Sequence, residues 1–377
     1  MRVFYALNWL NIGSIFAVMA QEFGAGVGGL GVLTSSFYLG IGLLQVPGGI
    51  YAAKYGPKNA VVVGTVVASA SALLSGLVPS FQEVVALRFT VGAGMAFVFG
   101  PAIVLVAKYY QSGSEGLGVG LFNSAYDVGG FLALFSWGVV AADLGWRQSV
   151  VLSGGAGLAT AALIAIFVPR DEKSAEFRIR YGQLKKIIFD KKLFLLSVGI
   201  LSIGIGNGLV GSFMVYYLEK VYGLGVSLAG LIAGLIVLAP IFSAPLGGKL
   251  YDSVKKPRLL MLVSDISMAG CLVFVAYAGL PGAVICSLVG GVATGVGFTV
   301  GFAAARELNR AEREYEGLSV AWVNCVSLFG TFLPPLVFSY IADTLGYTEA
   351  WLSGAALTLI LALALLLMEE GVALREG

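Results

Sequence analysis

Three ionisable side chains interrupt stretches of the chain that are otherwise apolar: Arg88, Asp127 and Asp265. A charged group is costly inside a membrane, so it normally faces a cavity, a partner or a transported ion. A buried carboxyl takes up a proton where its surroundings disfavour the charged form, and releases it beside a cation. Asp127 therefore predicts proton or cation coupling. Contact with a substrate alone and a fixed ion pair with Arg88 are the alternatives.

Asp127 shares one face of its predicted helix with polar and aromatic neighbours. Spacings of four, three, four and three residues join the members of this face: Asn123, Asp127, Gly130, Leu134 and Trp137. Such spacings keep side chains on one side of a helix. We expect this face, with Asn123 and Trp137, to line a substrate cavity.

Arg88 has the side chain that suits an anionic substrate, because a guanidinium group matches carboxylate and phosphate geometry. The alternative is a structural tie to Asp127 or to carbonyl groups of the first helix. Asp265 follows Ser264 in an apolar segment. It is interpreted either as a hydrogen-bonded packing residue or as a second proton site.

Further polar and aromatic residues within apolar segments are candidates for substrate contact. They are Asn8, Asn11, Tyr126, Asn207, Tyr216, Trp322 and Asn324. Asn123 and Asn324 occupy equivalent positions of an internal repeat, so hydrogen bonds between helices are their alternative role. Tyrosines near helix ends are also common as anchors at the membrane interface.

Several function classes are excluded by what the sequence lacks. There is no histidine, which removes His-dependent catalysis and the commonest metal ligand. The three cysteines lie in apolar stretches without CxxC spacing and are interpreted as packing residues. No phosphate-binding loop with its lysine is found. We therefore expect no enzyme activity, cofactor, metal or nucleic-acid partner, and an energy source other than ATP.

Composition and hydropathy identify the elements that must hold these residues. Hydrophobic residues make up 58% of the 377 residues, charged residues 12%, and 53 residues are glycine. A membrane-spanning helix needs about 20 apolar residues. Twelve segments satisfy this requirement: 3–21, 28–53, 59–78, 83–107, 117–141, 147–168, 192–217, 227–250, 258–279, 282–305, 317–341 and 348–368.

The lysines and arginines indicate how these spans are oriented. With twelve spans, one set of alternate loops carries nearly all the basic residues, Arg2 among them, and the other carries Arg147 and Lys220. Basic loops face the cytoplasm. The sequence therefore predicts a multi-pass cell-membrane protein with both termini cytoplasmic.

The chain repeats itself after 201 residues. Residues 115–149 and 316–350 agree at eleven of 35 positions, including Asn123 with Asn324. Parallel repeats of this kind place a substrate site between two halves, which open alternately to each side. We expect an N-terminal six-helix bundle at 1–168, a cytoplasmic linker at 169–191 and a C-terminal six-helix bundle at 192–377.

The segment GGIYAAKYGPK, residues 48–58, resembles the major facilitator superfamily signature between the second and third helices. Its matching residues are Gly49, Lys54, Gly56 and Lys58, whereas Ala53 replaces the acid of the pattern. The second copy, residues 247–258, keeps an acid as Asp252. These five matching residues are the predicted gating residues. An acid here can meet the positive N-terminus of a helix in the opposite half and hold the cytoplasmic side shut.

The resemblance extends over the whole chain and implies an all-α membrane protein of twelve helices in two bundles. The stretch around Arg88 is similar to anion/cation symporters of the superfamily. This similarity implies a secondary active transporter that moves a small organic anion with a proton by alternating access. The transporter is expected to be monomeric and in contact with membrane lipid. An exporter of amphipathic or drug-like compounds, an uncoupled uniporter and a non-transporting receptor are the alternatives.

Overall fold

The computed structural model describes residues 1–108, 115–169, 181–308 and 313–368, and it is helical along these ranges. Sixteen α-helices and one short 3₁₀ helix are found among these residues. Their bounds are α1 Arg2–Phe23, α2 Val27–Tyr55, α3 Pro57–Ser75, α4 Phe81–Ala96, α5 Phe99–Lys108, α6 Glu115–Phe135, α7 Trp137–Leu144, α8 Trp146–Phe167, α9 Tyr181–Ile188, α10 Lys191–Tyr222, α11 Val226–Leu238, α12 Pro240–Val254, α13 Pro257–Glu307, α14 Arg313–Gly330, α15 Leu333–Thr344, α16 Tyr347–Leu363 and the 3₁₀ helix Ala364–Leu367.

Eleven apolar segments of the described chain are long enough to cross a membrane. One of them, α13, has 51 residues, and at about 1.5 Å per residue it is far longer than a bilayer is thick. Gly279 divides α13 with φ 60° and ψ −133°, a conformation that side chains disfavour. The two halves of α13 correspond to two predicted spans, so the prediction of twelve spans is confirmed.

Several spans consist of two consecutive helices because the helical hydrogen-bond pattern is interrupted within the span. Proline has no N–H group, and its ring clashes with the carbonyl four residues earlier. The breaks between α4 and α5, between α11 and α12, and between α14 and α15 precede Pro101, Pro240 and Pro334. The break between α6 and α7 falls at Ser136, whose hydroxyl donates to Leu132 O at 2.7 Å. Such bonds from serine back to the preceding turn often bend helices.

The chain forms two compact units. The first comprises Met1–Arg178 together with Ser212–Gly234, and the second comprises Ile179–Gly211 together with Leu235–Gly377. The segment that ends α10 and begins α11 therefore packs with the first unit, although it belongs to the second repeat in sequence. The bundle boundaries at 168 and 192 stay a prediction, and residues 170–180 of the linker lie outside the described residues.

Within the first unit, α2 and α4 approach each other at two reciprocal glycines. A Cβ atom on Gly40 would overlap Phe89 O, and a Cβ atom on Gly92 would overlap Phe37 O. Small residues at helix contacts let two backbones pack closely where no hydrophobic effect drives association in lipid. The α2–α4 pair thus depends on both positions having no side chain.

We predict that Gly92→Ala destabilises the protein by about 1–3 kcal/mol, because the added methyl group meets main-chain atoms that no rotamer change can move. Thermal unfolding of the purified protein in detergent should show a lowered midpoint. The matched control is Gly155→Ala on α8, where nothing lies within 4 Å of the added Cβ atom. Equal unfolding midpoints for the two variants would contradict the close α2–α4 contact.

Candidate functional site

The face of α6 and α7 that contains Asp127 changes from exposed to buried along its length. Asn123 is exposed, Asp127 is half-buried, and Leu134 is fully buried. Leu134 O lies where a Cβ atom of Gly230 would be, so the start of α11 packs directly on this end of the face. Trp137 is half-buried, and its indole Nε1 has no hydrogen-bond partner among the described residues. Asp127 therefore lies between the exposed end of this helix face and the end that is buried against α11.

Arg88 is tied to the first helix. Its Nη1 atom donates to Asn8 O at 2.5 Å and its Nη2 atom donates to Trp9 O at 2.6 Å. The Phe37 ring centroid lies 4.7 Å from its Cζ atom. No ion pair joins Arg88 to Asp127 in the described part of the chain. These contacts favour the structural alternative for Arg88, and its substrate role stays a prediction.

Asn8 and Asn11 point into a small cavity beside Arg88, where α1, α3, α4 and α8 meet. Asn8 donates through Nδ2 to Phe4 O at 3.0 Å. The Oδ1 atoms of both asparagines have no hydrogen-bond partner among the described residues. Buried polar atoms without protein partners are commonly satisfied by water. The two asparagines are thus brought together with Arg88.

Arg2, which the charge pattern assigns to a loop, is instead a buried residue of the first helix. The chain is already helical at Arg2, and only 9% of the residue is exposed. Four aromatic rings surround its Cζ atom. Their centroids lie at 4.4 Å for Tyr5, 4.7 Å for Phe99, 4.8 Å for Phe122 and 4.6 Å for Tyr126. The burial of Arg2 could have been predicted from the spacing of Arg2, Tyr5 and Trp9, which places them on one helical face.

Asp127 and Arg2 belong to the same cluster of α1 and α6. Arg2 is the residue whose charge acts on the Asp127 carboxyl. Tyr126 links the two residues, because it precedes Asp127 and also packs against Tyr5 and Trp9 with ring centroids 6.3 and 5.9 Å apart. The predicted substrate contact Tyr126 therefore packs on the Arg2 cation, and the predicted coupling residue Asp127 follows it in the chain.

Asp265 lies in the second unit, on α13, with 1% of its surface exposed. It hydrogen-bonds to Ser202 of α10, and Ser202 Oγ donates to Thr358 O of α16 at 2.8 Å. The Asp265 Oδ2 atom has no hydrogen-bond partner within the described ranges. The Ser202 hydroxyl has one proton, which it donates to Thr358 O. Its oxygen can therefore accept a hydrogen bond from the Asp265 carboxyl when that carboxyl is protonated.

The other predicted contacts are divided between the units. In the first unit, the Tyr216 ring packs against Phe16 with centroids 5.2 Å apart. In the second unit, Asn207 Oδ1, Trp322 Nε1 and Asn324 Nδ2 have no hydrogen-bond partner among the described residues. Trp322 also packs against the apolar core of that unit.

The first copy of the gating motif contacts the C-terminal end of α8 through Lys58. Lys58 is buried, and its Nζ atom donates to Ala165 O of α8 at 2.8 Å. Lys54 is exposed and lies over the Tyr55 ring, 5.1 Å from the centroid. Gly49 has open space where a Cβ atom would lie, and Gly56 adopts φ 91° at the turn from α2 to α3.

The second copy joins α12 to the end of α13. Tyr251 Oη donates to Glu307 Oε2 at 2.5 Å. Lys255 Nζ lies 3.6 Å from Glu307 Oε1 and 3.5 Å from Asp252 Oδ1. The Asp252 side chain is 79% exposed, so its contact with Lys255 contributes little to stability. The contact of Asp252 with the N-terminus of a helix in the opposite half stays a prediction. The described part of the chain contains no cluster of metal-ligating residues.

Comparison with known proteins identifies the family. The sequence profile of the Major Facilitator Superfamily matches residues 1–282 and 196–376. A probable galactarate/D-glucarate transporter of Escherichia coli is 23% identical, over 87% of this chain and 82% of that protein. A nitrite extrusion protein of Bacillus subtilis is 24% identical, over 90% and 84%. A probable sulfoacetate transporter of Cupriavidus necator is 24% identical, over 72% and 68%.

Solved structures share the fold. A D-xylose-proton symporter superposes with a TM-score of 0.78 at 14% identity, over 97% of this chain and 94% of that one. A bacterial homologue of the human lysosomal transporter Spinster, inward-facing and occupied, gives 0.77 at 18% identity with the same coverage. The relatives are transporters rather than enzymes. With its twelve predicted spans confirmed and the family profile matched from end to end, the chain belongs to the Major Facilitator Superfamily, as a multi-pass membrane transporter.

Proposed function

We propose that this transporter moves a small organic anion together with a proton. The observation that carries the proposal is the cluster on α1 and α6, in which the half-buried Asp127 lies close enough to the buried Arg2 to feel its charge. A carboxyl within a membrane span can carry a proton, and a guanidinium can bind an anion. The two groups that coupled transport of an anion and a proton would use thus belong to one cluster.

The named relatives support an anionic substrate. Sulfoacetate and D-glucarate are organic anions, and nitrite is a small inorganic one. Their identities of 23–24% do not select one compound for this chain. The buried arginine supports the shared feature, which is a negatively charged oxygen-bearing group.

The proposal includes the setting of the protein. Both termini face the cytoplasm, because basic residues are concentrated on that side of the predicted topology. The protein acts as a monomer surrounded by lipid. Its many exposed apolar side chains, such as Phe167, Phe242 and Ile166, suit contact with acyl chains.

We predict that Asp127→Asn abolishes proton movement, because an amide of nearly the same shape cannot take up a proton. Purified protein is placed in liposomes that contain a pH-sensitive dye, and sulfoacetate, D-glucarate and nitrite are supplied in turn. The wild-type protein should acidify the lumen with one of these anions, and the variant should not. Counterflow of labelled substrate, which needs no net proton movement, should persist in the variant.

The matched control is Asp143→Asn, which makes the same change at the exposed end of α7. It should leave proton movement at the wild-type rate. Undiminished acidification by Asp127→Asn would refute the coupling role. Anion flux without acidification in the wild-type protein would instead identify a uniporter.

We predict that Asp265→Asn lowers the number of protons moved per substrate without stopping transport. We propose Asp265 as a second proton site because it is buried and hydrogen-bonded to a serine. Parallel measurement of the lumenal pH and of labelled substrate gives the ratio. An unaltered ratio, with a lowered unfolding temperature, would show that the residue serves packing alone.

A further inference from the structure

We infer that Arg2, rather than Arg88, binds the charged group of the substrate, a carboxylate or sulfonate. This inference rests on the proposed function, because it names the residue that would recognise the proposed anion. Arg2 and Arg88 are both buried in the first unit, with 9% and 5% of the residue exposed. The two residues differ in what their nitrogen atoms contact.

The hydrogen-bonding capacity of Arg88 is largely used inside the protein. Its two terminal nitrogens donate to carbonyls of α1, and its Nε atom alone has no described partner. In Arg2, the guanidinium is hydrogen-bonded to the side chain of Tyr5, but both Nε and Nη1 are buried and have no hydrogen-bond partner among the described residues. A buried donor without a partner is destabilising, and more so when it is charged. An anion that accepts from Arg2 would remove this destabilisation.

The aromatic cage determines how an anion can approach Arg2. The ring centroids of Tyr5, Phe99, Phe122 and Tyr126 lie 4.4 to 4.8 Å from its Cζ atom. The rings stabilise the cation and keep water away from it. Hydrogen bonds from a guanidinium lie in its plane, so an oxygen-bearing anion must approach an edge. Because Arg2 already fills the cage, there is no place in it for a cationic substrate.

The charges around Arg2 explain why substrate and proton would bind together. The titratable groups that act on Arg2 are Tyr5, Tyr126 and Asp127, and Asp127 is the acid among them. With Asp127 ionised, the positive charge of Arg2 is partly compensated. Protonation of Asp127 removes that compensation, so an anion is attracted more strongly. Each ligand then favours the binding of the other, as linkage requires.

The substrate itself would lie against α1 and α6. Trp9 packs against both Tyr5 and Tyr126, with ring centroids 5.7 and 5.9 Å apart. Aromatic faces next to a charged anchor suit a compound with a short carbon chain and an acidic group. A small carboxylate or sulfonate combines the two chemical features that match this cluster, an acidic group for Arg2 and a carbon chain for the rings.

We predict that Arg2→Gln weakens anion binding at least about tenfold, because it removes a charge-assisted hydrogen bond. Isothermal titration of the purified protein in detergent with sulfoacetate, D-glucarate and nitrite measures the affinity. Arg2→Lys keeps the charge but not the planar group, and it should fall between the wild type and Arg2→Gln. It also serves as the second variant if Arg2→Gln fails to fold.

The matched control is Arg147→Gln. Arg147 is paired with Glu22 at 2.6 Å, away from the cage, so its replacement should leave the affinity unchanged. Wild-type affinity in Arg2→Gln, or a loss confined to Arg88→Gln, would overturn the assignment to Arg2 and leave the proposed function intact. If no anion bound to the wild-type protein or drove proton flux, the proposed function would fail and the inference with it.

Discussion

An apolar solvent leaves the polar groups inside the membrane dependent on other parts of the chain. The backbone meets this demand by forming helices, since a bilayer offers no water to unpaired N–H and C=O groups. Buried side chains meet it by using the same backbone. Arg88 donates to two carbonyls of α1, and Ser14 Oγ donates to Ala133 O of α6 at 2.7 Å. The same contacts therefore pack the helices together and provide hydrogen-bond partners for buried polar side chains.

The two halves of the repeat provide hydrogen-bond donors for carbonyls at helix ends in the same way and at equivalent places. Lys58, near the start of α3, donates to a carbonyl at the end of α8. Arg258, near the start of α13, donates to Met368 O at 3.0 Å beyond the end of α16. The last carbonyls of a helix lack intrahelical partners, and a basic side chain satisfies them. Basic residues that indicate topology in the sequence thus also fasten helix ends within each half.

The ends of the spans could be predicted to within five residues, because hydropathy and length are set by bilayer thickness. For Arg88, carbonyl groups of the first helix were one of several predicted partners, and the structure selects them, because the residue type reveals what an arginine can bind but not which of these groups it meets. Arg2 was missed for a related reason, since a basic residue directly before an apolar run ordinarily lies in a loop. Here the first turn of α1 lies against Gly129, where an added Cβ atom would overlap Val3 O. That backbone contact, invisible to hydropathy, buries Arg2.

The reciprocal glycines of α2 and α4 have a consequence for genetics. At most helix contacts, an enlarged residue can be compensated by a smaller one on the facing helix. At Gly40 and Gly92 the atoms in the way are the carbonyl oxygens of Phe89 and Phe37, which every residue type possesses. No side-chain substitution opposite either glycine can restore the lost space. Suppressors of substitutions here must therefore arise at residues that set the distance between the two helix axes.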